Sequence, residues 1–364
     1  MDRLALRAFH EALGAQFTTV NRAEVAAHYG EPLAEHAALR QNVGVLDLSF
    51  RGRICLTGAD RARFLHGQVT NDVNRLAAGE GCYAALTTSK GRIEGDLNIY
   101  RLEEELLLDL EPGLTPAITQ RLEKYIVADD VQVVDVASQY GLLSVQGPKA
   151  QAVVDALGLA NELPVKLFGV LKIEDPAAGE IYLINQPRLG TSGFDLFVPN
   201  EALDAMAGRL VAAAKGAGGC ACGWEALEVA RIEAGVPRFG QDMDETNIPI
   251  ECGIQARAIS FTKGCYVGQE VINRVHTLGH VNKELRGLRL SDELKPLPAK
   301  GDKLFHGGKE VGYVTSSAVS PLLKANIALG YVRREVNQVG TELILRAGEE
   351  ESRVRIVPLP FVRE

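Results

Sequence analysis

The chain has 364 residues, 46% hydrophobic and 24% charged, with a formal net charge of −8, which is enough apolar material for a sizeable core and predicts more than one domain. The acidic balance and the lack of any Lys/Arg cluster exclude direct nucleic-acid binding as its main business, because phosphate neutralisation needs such a cluster. No run approaches the roughly 18 apolar residues of a membrane span and no cleavable signal pattern opens the chain, so a cytoplasmic protein without membrane contact is expected.

Leu6, Phe9, Leu13 and Phe17 recur at helical spacing and predict an amphipathic first helix over residues 4–17. Residues 53–57 read as a strand, followed by Gly58-Ala59-Asp60 and a short helix through Phe64 and Leu65. Thr115-Pro116 opens a helix in which Ile118, Leu122 and Tyr125 share a face. Strands are expected over 131–136 and 142–145, then a helix over 150–157 ended by Gly158. Residues 181–184 and 194–198 read as strands and 201–215 as a helix. The glycine-rich 216–219 is a loop, because it lacks the Gly-Lys-Ser/Thr ending of a phosphate cradle. A further helix over 223–233 is ended by Gly235. From residue 283 the character changes. Short β-rich runs over 284–290, 310–316, 327–332, 342–346 and 353–357, without helical period, predict a separate small barrel after a linker near 276–282.

Six cysteines are too sparse for a disulfide scaffold, and reduced thiols are expected. Cys55 and Cys82 lie in apolar runs and read as small core residues. Cys220-Ala221-Cys222 has no second matching pair, so it is a weak metal signal. Cys265, His276 and His280 are a further conceivable ligand set, but the two histidines read as linker residues, and no metal is assigned. Cys265 is the most informative residue of the chain. Gly264 and Gly268 free the backbone around it, the run from Gln269 opens a helix, and Lys263 is two residues away, a setting that favours a working thiolate.

Five phrases go further than pattern: Gly44-Val45-Leu46-Asp47-Leu48-Ser49, Gln68-Val69-Thr70-Asn71-Asp72-Val73, Val145-Gln146-Gly147-Pro148-Lys149-Ala150, Arg231-Ile232-Glu233-Ala234-Gly235 and Lys263-Gly264-Cys265-Tyr266-Val267-Gly268-Gln269-Glu270. In this order they resemble the folate-binding superfamily of glycine-cleavage T-proteins, over nearly the whole chain. The last octapeptide resembles the signature of its YgfZ branch. The resemblance implies an α+β fold, a three-lobed ring of two interleaved folate-binding lobes over residues 1–280 with boundaries near 50 and 140, followed by a β-barrel over 283–364. It implies a reduced folate, tetrahydrofolate or a derivative, in a central channel. It also implies that Arg231 and Tyr83 line the folate site, where an arginine can grip a carboxylate and an aromatic ring can stack.

Two departures accompany the resemblance. Of the paired aspartates of T-proteins, Gly91-Arg92-Ile93-Glu94-Gly95-Asp96 keeps only Asp96. The stretch with the pterin-contacting carboxylate reads Gly190-Thr191-Ser192-Gly193-Phe194-Asp195, leaving Asp195 to take over that bonding. The expected site therefore comprises Cys265 and Asp96 as chemical groups, with Tyr83, Asp195, Arg231 and Lys263 around the folate. The function implied by the branch is tetrahydrofolate-dependent support of iron–sulfur cluster assembly or repair, with iron–sulfur enzymes, such as radical tRNA-modifying ones, or assembly proteins as partners. The alternative is a folate-dependent aminomethyl- or methyltransferase, in which Asp96 or Glu94 assists bond breaking at the folate N5–CH₂ carbon.

Overall fold

The computed structural model describes residues 4–348 and 350–362; the outermost expected bounds, 1 and 364, lie outside them. The chain divides into two units. The first comprises Met1–Ala84 and Gly95–Leu227 and is built on two sheets. In the six-stranded sheet the order is Val170–Asp175, Gly179–Asn185, Gly193–Pro199, Tyr140–Gln146, Gly44–Asp47 and Cys220–Ala221. Its pairs are antiparallel except the last, which is parallel. In the five-stranded sheet the order is Glu80–Thr87, Ile93–Arg101, Leu106–Leu110, Gly52–Thr57 and Gln132–Asp135.

Helices Ala150–Ala156 and Leu203–Gly216 cover the six-stranded sheet. Val153, Val154, Met206 and Leu210 from the helices meet Val145, Leu183 and Leu196 from the strands in one buried cluster. Gly141 is required there, because a Cβ at that position would lie 2.4 Å from Leu203 Cδ2.

The expected first helix is cut short. It spans only Arg7–Ala12, and Phe17 lies in the strand Gln16–Val20, paired with Ala23–His28. The β-rich Thr18-Thr19-Val20 and a turn with Asn21 and Arg22 at φ 46° and 71° favour a hairpin over another helical turn.

The second unit comprises Ala85–Glu94 and Glu228–Glu364. Six strands close into a barrel in the order Lys283–Arg289, Ala325–Arg333, Lys309–Ser320, Lys303–His306, Glu342–Ala347 and Glu350–Val357, the last pairing back onto the first. Leu288, Leu304, Val314, Val332, Leu345 and Ile356 fill it. Strand Lys303–His306 escapes sequence reading because it is four residues long and lies between Gly301 and the pair Gly307-Gly308. The expected linker near 276–282 is also corrected. His276 belongs to helix Gln269–Leu278, which ends at Gly279 with φ 74°. Among the described residues no helix is long and apolar enough to cross a membrane.

Candidate functional site

In the first unit, alternate residues of neighbouring strands put a polar row on one face of the five-stranded sheet. Asn98 and Arg53 both lie opposite Asp109. One step further along the same strands stand Asp96, Glu111 and Arg51. Tyr83 OH donates to Asp96 Oδ2 at 2.7 Å, while Asp96 Oδ1 is buried and has no partner. Burial, then the nearby Glu111 carboxylate, pushes the Asp96 carboxyl up to about 6, against the pull of Tyr83 and Arg51. A carboxyl so placed can hold or give up a proton near neutral pH.

Arg51 Nε donates to Asp109 Oδ1 at 2.6 Å, and its other arm meets Glu111. Arg188, in the turn between Gly179–Asn185 and Gly193–Pro199, donates to Asp109 Oδ2 at 2.8 Å and to Asp195 Oδ2 at 2.6 Å. Arg188 thus ties the two sheets together through carboxylates with 0% side-chain exposure. Burial opposes ionisation of Asp109, but Arg51 and Arg188 outweigh it and hold the carboxyl below its usual range. At Asp195 burial prevails and the carboxyl is raised.

Around this network Tyr100 OH, Gln186 Oε1 and Thr191 Oγ1 are buried without partners. Arg51 also lines a cavity of about 660 Å³, with Arg22, Arg53, Thr115 and Asn200, a size typical of small-molecule sites at roughly 300–1,000 Å³. Arg53 is 1% exposed and gives its terminal N–H groups to the carbonyls of Arg51, Ser49 and Ala137.

The structure thus brings Tyr83 and Asp96 into direct contact and places Asp195 under a two-pronged grip from Arg188. Asp195 meets a pterin only if that grip is shared. Arg51, Asp109, Glu111 and Arg188 were not singled out from the sequence. The available signal was Asp109 in Leu106-Leu107-Leu108-Asp109-Leu110, since a carboxylate inside an apolar strand demands a buried cation.

Arg231, Lys263 and Cys265 lie in the second unit. Arg231 closes helix Trp224–Glu233 and is 5% exposed. Its guanidinium donates to Asp242 Oδ2 at 2.5 Å, Ser316 Oγ at 2.7 Å and Glu228 Oε2 at 3.0 Å. The arginine is therefore held by two protein carboxylates. Lys263 is buried, with Nζ 4.8 Å from the centre of the Tyr266 ring. Cys265 is exposed between those two buried neighbours, in the loop leading to Gly268, the N-cap of helix Gln269–Leu278. Thr87 Oγ1 donates to Val267 O at 2.6 Å and fixes that loop. His276 stacks on Phe261 with ring centres 3.8 Å apart, and His280 Nδ1 lies 3.0 Å from Leu278 O. Among the described residues no group of three His, Cys, Asp or Glu side chains could hold a metal ion.

The two sheets of the first unit, the polar row on them and the closed barrel define a T-protein-like α+β protein. Family comparison agrees: the GCVT N-terminal domain matches residues 6–263, and the glycine cleavage T-protein C-terminal barrel domain matches 283–363. The chain belongs to the glycine cleavage T-protein family. Aminomethyltransferase of Halalkalibacterium halodurans is 30% identical over 90% of this chain and 89% of its own length. Aminomethyltransferase of Rubrobacter xylanophilus is 30% identical over 100% and 95%. The crystal structure of glycine cleavage system aminomethyltransferase T from Bartonella henselae matches with a TM-score of 0.88 at 25% identity, covering 99% of this chain and 97% of that one. These relatives support the transferase reading better than the iron–sulfur reading and do not single out the YgfZ branch.

Tetrahydrofolate is the family's cofactor. A pterin carries N–H donors and ring-nitrogen acceptors. The buried, unpartnered Asp96 Oδ1 and Gln186 Oε1 are able to accept hydrogen bonds, and the Tyr100 and Thr191 hydroxyls are able to donate them. On that ground the residues fit the group.

Proposed function

We propose that the chain binds tetrahydrofolate beside Tyr83 and Asp96 and transfers a one-carbon unit, aminomethyl or methyl, to or from it. The observation that carries this reading is the buried, unpartnered Oδ1 of a carboxyl poised at about 6. Bound tetrahydrofolate supplies the nitrogen that carries the one-carbon unit. Tyr83 OH fixes Asp96 by bonding Oδ2, which leaves Oδ1 to move a proton. Glycine at position 95 leaves Asp96 to act without a neighbouring aspartate. The test is to incubate the protein with tetrahydrofolate and a one-carbon donor and follow the folate product. Product should form, and Asp96→Asn should slow it by about 10²- to 10⁴-fold. A protein that binds the folate yet makes no product overturns the proposal.

A second reading, folate-dependent support of iron–sulfur cluster assembly in the manner of the YgfZ branch, is favoured by one observation. Cys265 is an exposed thiol on a loop fixed by buried neighbours. In this reading Cys265→Ala and Cys265→Ser keep stability and folate binding. Neither restores iron–sulfur enzyme activity to cells lacking the native protein. Full restoration by either variant excludes a role for the thiol.

A further inference from the structure

The pair Cys220 and Cys222 takes no part in the site above. Residues two apart along a strand point the same way, and here their sulfurs lie 3.9 Å apart. The backbone beneath them is pinned. Cys220 and Ala221 pair in register with Gly44 and Val45, and Cys222 N–H donates to Val45 O at 2.8 Å. Cys222 Sγ sits directly against that strand, because a Cβ on Gly44 would lie 2.6 Å from it. Cys222 is 2% exposed, whereas Cys220 is only partly buried. Cys222 S–H points at Glu35 O, 3.3 Å away, and the Glu35 carboxylate accepts from Gly223 N–H at 2.8 Å.

We propose that Cys220 and Cys222 form a thiol–disulfide exchange site that is oxidised to an intramolecular disulfide by a small-molecule disulfide of the glutathione class. The two thiols have unequal roles. Cys220 is the one a reagent can reach, and on its ionisation the Cys222 S–H turns from Glu35 O towards Cys220 Sγ, a hydrogen bond that favours the thiolate. Its sulfur attacks one sulfur of the reagent, forming a mixed disulfide and expelling the first thiolate. Cys222 then gives up its proton and attacks Cys220 Sγ, expelling the second. The protein loses two electrons and two protons, and the reagent leaves as two thiols. Closure requires the sulfurs to come from 3.9 Å to about 2.05 Å, which takes side-chain rotation together with a turn of the backbone at Cys222, where the strand Cys220–Ala221 has ended. The product withdraws the Cys222 donor from Glu35, beside the start of helix Trp224–Glu233.

Cleavage after Lys215 and Arg231 releases residues 216–231, which contain Cys220 and Cys222 and no other cysteine. The full chain is equilibrated in buffers of graded reduced-to-oxidised glutathione ratio, blocked with an alkylating agent, digested and weighed. The expected result is that this peptide becomes two hydrogens lighter and loses both alkyl groups together as the buffer becomes more oxidising. Cys222→Ala should instead stop at a glutathione adduct on Cys220, and Cys265→Ser should leave the transition unchanged. If both thiols remain alkylated at every ratio, or the wild-type peptide accumulates the adduct with Cys222 free, the proposal is overturned. The wild-type masses decide this even if a variant does not fold.

Discussion

Asp96 and Arg231 are both partnered by protein groups, yet their surroundings act on them in opposite ways. Burial raises the Asp96 carboxyl from 3.8 to about 6, so its folded-state value exceeds its unfolded one. The stability linked to this group is complete below about pH 4 and is lost as pH rises through about 6. Asp96→Asn should therefore gain stability above pH 6, by no more than about 3 kcal/mol, in denaturant titrations at paired pH values. If Asp96 is the base, turnover should rise through pH 6 with a limb that the Asn variant lacks. Arg231 is different. Removing it leaves Asp242, with 0% side-chain exposure, unpaired. Arg231→Ala should cost about 3–5 kcal/mol of stability. The double change Arg231→Met with Asp242→Asn removes the orphaned charge and should recover much of that loss. Calorimetry on the double variant then tests whether the guanidinium meets folate, because affinity equal to wild type would assign Arg231 to structure alone.

The octapeptide loop depends on one backbone conformation. Gly268 has φ 87°, and a Cβ there would lie 2.5 Å from Thr88 O and 2.7 Å from Thr87 Oγ1. Both the dihedral and the space exclude a side chain, so Gly268→Ala should lower stability by about 1–3 kcal/mol. Alkylation of Cys265 should also change in rate, because its loop can no longer close on the hairpin at 85–94. An unchanged melting curve and alkylation rate would remove the reason given for this glycine. At this scale much was legible. Ile181, Phe194 and the runs after residue 283 carried their strand signals in plain view, and Gly235 and Gly158 marked helix ends. The first helix was not, because Leu6, Phe9, Leu13 and Phe17 keep helical spacing while local turn chemistry at Asn21-Arg22 decides for a hairpin.

For the whole molecule, the phrases at 44–49, 231–235 and 263–270 were enough to place the chain in its family, because each is a contiguous string. The network of Arg51, Asp109 and Arg188 was not legible in that way. Its hydrogen-bonded pairs are 58 and 79 residues apart, Arg51 with Asp109 and Arg188 with Asp109, and only strand register makes them neighbours. The same distance effect governs the second unit. Residues 85–94 belong to it, and they supply Thr87 for Val267 and the Ile93 N–H for Asn247 O. A fragment of residues 228–364 alone lacks that hairpin and should unfold at lower denaturant than the same residues in the full chain, as site-specific hydrogen exchange on the barrel would report. Synthesis order adds a delay. Thr87 leaves the ribosome 180 residues before Val267, which at about 5–20 residues per second is roughly 10 to 40 s. For that interval the hairpin lacks the Val267 carbonyl that Thr87 later bonds, so a nascent chain is open to chaperones and proteases at a segment that the finished protein closes.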